Sequence, residues 1–398
     1  LRSFQAALDS GKITAEFSKK WLENTGKDYG ISSKIIRDKN DFAMTEFNIK
    51  TYFDAVLKGL NMPIHPDLIK GVKGTSNREH IPEHLAKGIL RSKYDLTVNK
   101  DGTIRYDMTQ LPITHFKPNE IGTSVEKLKE LGYSRDASGS DLVDENQVVE
   151  LMPQDVILPA CSESPELGAD EILLKTSFFI DDLLKDFYKL NKFYKMKSSE
   201  DIPGALIAVI APHTSAAVVG RVIGFSKTQG FFANPVLHAA TRRDCDGDEA
   251  SVMLLMDVLL NFSKQFLPNS RGSTQDAPLV MTSKLIPAEV DDMAFDLDVS
   301  WGYPLEFYDA CMNYKQPREV EIEQFGKRLE TEKEYYDFGY THEVSDMNSG
   351  AMCSAYKVIP SMEEKLKGQM ELADKIRAVD ESDVARLVIE KHLIRDIR

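Results

Sequence analysis

Three aspartates stand at alternate positions around a single glycine in His238-Ala-Ala-Thr-Arg-Arg-Asp244-Cys-Asp246-Gly-Asp248-Glu249, and no other stretch restricts the fold of this chain so tightly. Carboxylates two residues apart fall on one side of an extended backbone, and Gly247 lets the chain bend so that Asp246 and Asp248 converge. Convergence costs repulsion. Carboxylates sharing a site raise one another's pKa unless something positive sits among them, and a hard divalent cation is the ordinary remedy. Mg²⁺ keeps positions open for water and phosphate oxygens, which suits in-line phosphoryl chemistry, and Arg242 and Arg243 just upstream can counter phosphate charge. From the string alone a calcium-stabilised or solvated acidic turn stays open. An EF-hand does not: it needs Gly at 249 and Glu at 255, where this chain has Glu249 and Leu255. Residues 249–266, apolar almost throughout and closed by Pro268, are expected to form a buried helix that holds the loop rigidly, as a catalytic carboxylate requires.

The surroundings of this loop are basic although the chain is acidic. With 49 basic and 63 acidic residues the net charge is −14, which by itself argues against a dedicated nucleic-acid binder. Yet residues 211–243 contain no Asp or Glu, only Arg221, Lys227, Arg242 and Arg243 with His213 and His238, and residues 70–100 set seven basic residues against three acidic. The excess negative charge lies in the last third, as a solvated surface. Length (398 residues) and a 42% hydrophobic content give a globular protein of more than one domain. Four cysteines without a CxxC pair exclude a disulfide framework or zinc ribbon and fit a reducing cytoplasm. The longest apolar runs, such as residues 252–260 with Asp257 inside, are about half the roughly 20 residues a membrane helix needs, so no membrane span is expected. A start at Leu1, without an initiator methionine or a signal-peptide pattern, suggests a piece of something longer.

Hydrophobic periodicity divides the chain into three expected parts: a helical lead-in (1–66), a β-rich core (67–300) with a helical insert at about 168–198, and a mixed, helical region (301–398). In the lead-in, Phe47, Tyr52, Phe53, Val56, Leu57 and Leu60 recur at three- and four-residue steps before Pro63 and Pro66 stop the pattern. Residues 93–107 read as a hairpin around Asn99-Lys-Asp-Gly102, and 148–151 and 156–158 as short strands. The segment 124–131 shows helical spacing, and 171–193 carries an apolar helical stripe through Ile172, Leu173, Phe179, Ile180, Leu183, Leu184 and Phe187. Residues 205–210 and 218–225, the latter punctuated by Gly220 and Gly224, suit buried strands, although 216–224 also suits a short helix. Helices are expected at 362–379 and 382–392.

Ala211-Pro-His-Thr-Ser215, Gly220-Arg-Val-Ile-Gly-Phe225 and the aspartate string together resemble the catalytic region of the large subunit of the archaeal D-family DNA polymerase. Further matches follow in the family's order: Lys70-Gly-Val-Lys-Gly74, Lys87-Gly-Ile-Leu-Arg91, Asp101-Gly-Thr-Ile-Arg105, Pro112-Ile-Thr-His-Phe116, residues 126–133, Tyr303-Pro-Leu-Glu-Phe-Tyr308 and Ile376-Arg-Ala-Val-Asp380. The resemblance runs from about Lys70 to the C-terminus and implies an α+β fold with a double-psi β-barrel catalytic core. It also implies metal-dependent nucleotidyl transfer to a primer 3′-hydroxyl in DNA replication. In that picture Asp246 and Asp248, with Asp244, hold Mg²⁺ in a two-metal site that Mn²⁺ can also fill. His213, Arg221, His238, Arg242, Arg243, Lys70 and Lys73 then contact DNA or nucleotide phosphates.

The implied partners are primer-template DNA, dNTPs, a small nuclease subunit carrying the proofreading activity, and a sliding clamp. Two departures stand out: Asp244 where the family usually has Asn, and Ala250 where it usually has a further Asp. The family's zinc-binding cysteine clusters and its second-barrel basic motif have no counterpart, which suggests the central portion of a longer subunit. Plainer readings stay open residue by residue: structural histidines at 213 and 238, surface ion pairs for the arginines, a solvated basic loop for Lys70 and Lys73. His115 reads as an interior histidine and Cys245 as a buried thiol without a redox role. Two other functions also stay open, a non-catalytic scaffold with an impaired metal site and a metal-dependent phosphatase or nuclease.

Overall fold

Glycines that interrupt an apolar run weaken a helix but suit a strand crossed closely by other backbone. In the computed structural model the run containing Gly220 and Gly224 is β8 (Ala216–Ser226), a strand of 11 residues. A Cβ at Gly224 would lie 2.7 Å from both the Ile121 carbonyl oxygen and Thr123 Oγ1. The Thr123 hydroxyl donates to the Ile223 carbonyl at 2.7 Å, beside a register shift in the pairing of β8 with its neighbour. The structure describes residues 34–37, 43–46, 48–72, 83–164, 166–212, 214–262, 279–339, 346–349, 361–376 and 378–393.

β8 belongs to a seven-stranded mixed sheet. It pairs antiparallel with β7 (Leu206–Ile210), parallel with β6 (Asp155–Pro159), and through residues 216–218 with β11 (Val280–Thr282). From β6 the pairings continue to β9 (Gly230–Ala233), β3 (Tyr106–Pro112), β10 (Glu249–Leu254) and back to β7, so six strands pair in a closed circuit. Inside lie alternate residues of each strand, Met108, Val156, Ile207, Val222, Phe231 and Val252 among them. β4 (His115–Phe116) and β5 (Val149–Glu150) form a separate short pair.

The expected helix at 249–266 is corrected here: residues 249–254 are β10, and only then does the short helix α6 (Leu255–Asn261) begin. The run is apolar almost all round because this strand is covered on both faces. Ala250, Val252 and Leu254 enter the main core, while Met253 packs with Ala208, Ile210 and Val258 on the other side. A buried strand and a buried helix look alike to periodicity. The end of that expected helix, and Pro268, lie outside the described residues.

The hairpin at 93–107 is also corrected. Its turn is present, with Asn99 N donating to Thr103 O at 2.8 Å, but the flanks do not pair. Ile104 N–H is claimed instead by the buried Asp257 carboxylate at 2.7 Å, and β3 starts only at Tyr106. The lead-in is not wholly helical either: β1 (Lys34–Arg37) and β2 (Ala43–Glu46) pair antiparallel ahead of α1 (Ile49–Gly59), while Phe47 lies outside the described residues.

The helices ahead of the sheet and the insert helix meet in one apolar cluster. α1 contributes Val56, Leu57 and Leu60, α2 (Leu85–Lys93) contributes Ile89 and Leu90, and the insert helix α4 (Ala169–Asp182) with the wider turn after it contributes Phe179, Ile180, Leu183 and Leu184. Between them in sequence, α3 (Val125–Glu130) starts from a Ser124 cap. The insert helix stops short of residue 193 because the buried Asp181 carboxylate accepts the N–H groups of Phe193, Tyr194 and Lys195 at 2.8–2.9 Å and turns the chain back. α5 (Pro235–Ala240) leads into the aspartate loop, and α7 (Leu305–Met312) follows later.

Residues 1–350 and 351–398 form two compact units. In the second, α8 (Met362–Lys375) packs on α9 (Glu381–Leu387), which continues in a wider turn to Leu393. Among the described residues no helix is long and apolar enough to cross a membrane.

Candidate metal centre

The aspartate loop is held between two well-anchored elements. α5 begins at Asn234, whose side chain accepts the Val236 N–H at 2.9 Å, with Pro235 at the first helical position. Such a cap stabilises a helix by about 1 kcal/mol, and the loop after it therefore leaves a defined end. Beyond Thr241 the backbone is left-handed at Arg242 (φ 60), Cys245 (φ 58) and Gly247 (φ 124). For the two non-glycine residues this conformation costs about 1–2 kcal/mol each. The ladder at the other end holds it in place, for Asp248 O accepts from Gln110 N at 2.9 Å and β10 then pairs with β3 and β7.

This coil brings the three carboxylates together. One oxygen each of Asp244, Asp246 and Asp248 lies within 4.8 Å of the others, with Asp244 and Asp246 exposed and Asp248 half-buried. Opposed ligands of Mg²⁺ are about 4 Å apart and those of Ca²⁺ nearly 5 Å, so this all-oxygen set fits a hard divalent ion of either size. Arg243 Nη1 stands 3.4 Å from Asp248 Oδ2 and offsets one negative charge. Arg242 is exposed beside it. Cys245 is half-buried, and burial, then the charges of Asp244, Asp248 and Asp246, push its thiol up to about 11, which keeps it protonated and a poor metal ligand.

Among the described residues, the remaining sequence candidates are engaged by other groups of the fold. His238 is corrected: its ring is wholly buried, Nε2 meets Leu111 O at 3.2 Å, and the ring stands edge-on to Phe231. Burial lowers its pKa to about 4, so at neutral pH it is an uncharged interior group out of reach of a surface phosphate. Arg221 forks onto Asp155 at 2.7 and 2.8 Å, and that carboxylate also accepts the Tyr133 hydroxyl at 2.5 Å. The Asp155 hydrogen bonds raise the Arg221 pKa further, and its charge is spent inside the fold. Lys70 pairs with Asp95, whose pKa it lowers. His213 and Lys73 lie outside the described residues.

Sequence reading passed over Gln110, which is buried in β3 and touches both ends of the loop. Its signal was available: a polar residue in the alternation Tyr106, Met108, Gln110, where an apolar one belongs. His115 is buried as expected, and burial lowers its pKa to about 4.

The family model for the catalytic domain of the DNA polymerase II large subunit, DP2, matches residues 63–365. The chain belongs to this family. It is 49% identical to the DNA polymerase II large subunit of Archaeoglobus fulgidus over 363 residues, covering 91% of this chain and 31% of that protein. The Pyrococcus furiosus large subunit is 51% identical over 334 residues (83% of this chain, 26% of that protein), and that of Nanoarchaeum equitans 45% identical over 383 residues (92% and 31%). The chain thus spans under a third of the length of these DP2 relatives. The match includes the whole aspartate loop and every strand of the closed circuit.

Proposed function

We propose that this chain is the nucleotidyl-transfer core of a DNA-directed DNA polymerase, with Asp246, Asp248 and Asp244 holding the divalent metal. The observation that carries the proposal is the convergence of three carboxylates on a strained, doubly anchored loop in a member of the DP2 catalytic family. The closed circuit of six strand pairings supports reading the core as a double-psi β-barrel. Two Mg²⁺ ions, or Mn²⁺ in their place, would supply activation of the primer 3′-hydroxyl and charge stabilisation of the pyrophosphate leaving group. The protein's own share is electrostatic and positional. Arg242 and Arg243 flank the acids and attract phosphate, and the half-buried Asp248 is fixed to the ladder while the exposed Asp244 and Asp246 stay accessible from solvent. Asp244, in place of the family's usual Asn, adds negative charge and strengthens the hold on a cation.

The substrates on this reading are primer-template DNA and dNTPs, the partners a small nuclease subunit and a sliding clamp, and the compartment the cytoplasm. Residues 67–300 form the catalytic core, preceded by the lead-in and followed by an accessory region. The test is primer extension with Mg²⁺ by the complete large subunit with its small subunit, wild type against Asp246→Ala and Asp248→Ala. Extension by the wild type and by neither variant is expected. Equal extension by all three removes these aspartates from the reaction, and degradation without added nucleotides that depends on them would favour a nuclease.

A further inference from the structure

Gln110 sits where its strand should present an apolar side chain. Met108, two residues earlier on the same face of β3, lies in the main core, and Gln110 is 0% exposed. A buried amide needs partners. Its backbone N–H donates to Asp248 O at 2.9 Å, and its side-chain Nε2 donates to Thr241 Oγ1 at 3.1 Å. The Thr241 hydroxyl in turn donates to His238 O at 2.6 Å, one turn back in α5. A single residue therefore ties residue 241, where the aspartate loop begins, to residue 248, where it ends. Between those ties lie the three left-handed residues that coil the loop. Gln110 Oε1 has no hydrogen-bond partner among the described residues. An orphaned buried acceptor is destabilising, and an apolar residue of similar volume would serve the core better. The tie thus places a polar side chain where the strand alternation calls for an apolar one, which points to loop geometry as its purpose.

We infer that Gln110 is a positioning residue: through Thr241 and the Asp248 backbone it sets the spacing of the Asp244, Asp246 and Asp248 carboxylates and so the loop's affinity for a divalent cation. This rests on the metal-centre reading above. Gln110→Met keeps the volume and the backbone N–H but cuts the side-chain tie; Thr241→Val cuts it from the other end, and Thr241→Ser keeps the hydroxyl.

The experiment uses the complete large and small subunits without DNA or nucleotides and follows free Mn²⁺ by electron paramagnetic resonance. The Mn²⁺ binding lost in Asp246→Ala defines the site. Gln110→Met and Thr241→Val are each expected to weaken that binding about tenfold and raise the Mg²⁺ requirement of primer extension in parallel. The denaturation midpoint should be unchanged or higher in Gln110→Met and lower in Thr241→Val, which leaves the buried amide nitrogen without its acceptor, and Thr241→Ser should bind as wild type does. The double variant should be no weaker than either single one, because both cut the same tie. Affinity within twofold of wild type in both single variants, or a lowered midpoint of Gln110→Met with intact Mn²⁺ binding, overturns the inference. If Gln110→Met fails to fold, Thr241→Val decides alone. Should Asp246→Ala itself leave all Mn²⁺ binding intact, the metal-centre reading fails instead.

Discussion

Arg221 offers a choice between two incompatible roles that one substitution can separate. A phosphate-binding arginine must leave its charge available, whereas the observed side chain forks onto Asp155, which is 3% exposed and also takes the Tyr133 hydroxyl. Arg221→Met would strand that carboxylate in the interior. Removing one partner of a buried ion pair costs about 3–5 kcal/mol. The Arg221 side chain is itself 26% exposed, so water screens part of the pair and we expect a loss of about 2–3 kcal/mol. In guanidinium chloride, with a slope of about 3–4 kcal/mol per M, the unfolding midpoint falls by roughly 0.5–1 M. Replacing both partners, as in Arg221→Met with Asp155→Leu, should recover most of the loss, because no charge is then left buried and alone.

The DNA-binding readout moves independently of stability. With Arg221 held by Asp155, the dependence of log affinity on log salt for the complete enzyme keeps its slope after Arg221→Met. A phosphate contact at this residue would instead flatten that slope by about 0.9. A flatter slope together with an unmoved unfolding midpoint would refute the structural assignment.

Gly224→Ala should destabilise the chain by about 1–3 kcal/mol, since its new methyl falls 2.7 Å from backbone and side-chain oxygens of residues 121 and 123. Gly59→Ala, where a Cβ meets nothing within 4 Å, should be neutral or slightly stabilising in the same denaturation assay. Acid sensitivity follows from His238, whose pKa burial lowers to about 4 against an ordinary 6.5. The unfolded chain takes up the proton first, so this stability is present above about pH 6.5 and is lost as pH falls to about 4, by about 3 kcal/mol in all. His238→Gln should lose less stability between those two pH values than the wild type; identical pH profiles would show that the ring is not held neutral inside.

What the sequence determined by itself was local. Gly247 among Asp244, Asp246 and Asp248 lets the chain bend wherever the loop sits, the stripe from Ile172 to Phe187 suits a helix with one buried face, and the apolar runs 205–210 and 218–225 suit buried strands. The family motifs are local strings as well, and for that reason the family was legible before the fold. Tertiary structure decided what depends on partners distant in sequence. Residues 249–254 are a strand because β3 and β7 offer edges on both sides, and Ile104 leaves the expected hairpin because a carboxylate 153 positions away claims its N–H. His238 and Arg221 carry the same charge capacity in any sequence reading. Burial against Phe231 keeps one neutral, and the Asp155 carboxylate keeps the other occupied. Periodicity and spacing act over a few residues, whereas desolvation and pairing are set by whatever the folded chain packs alongside.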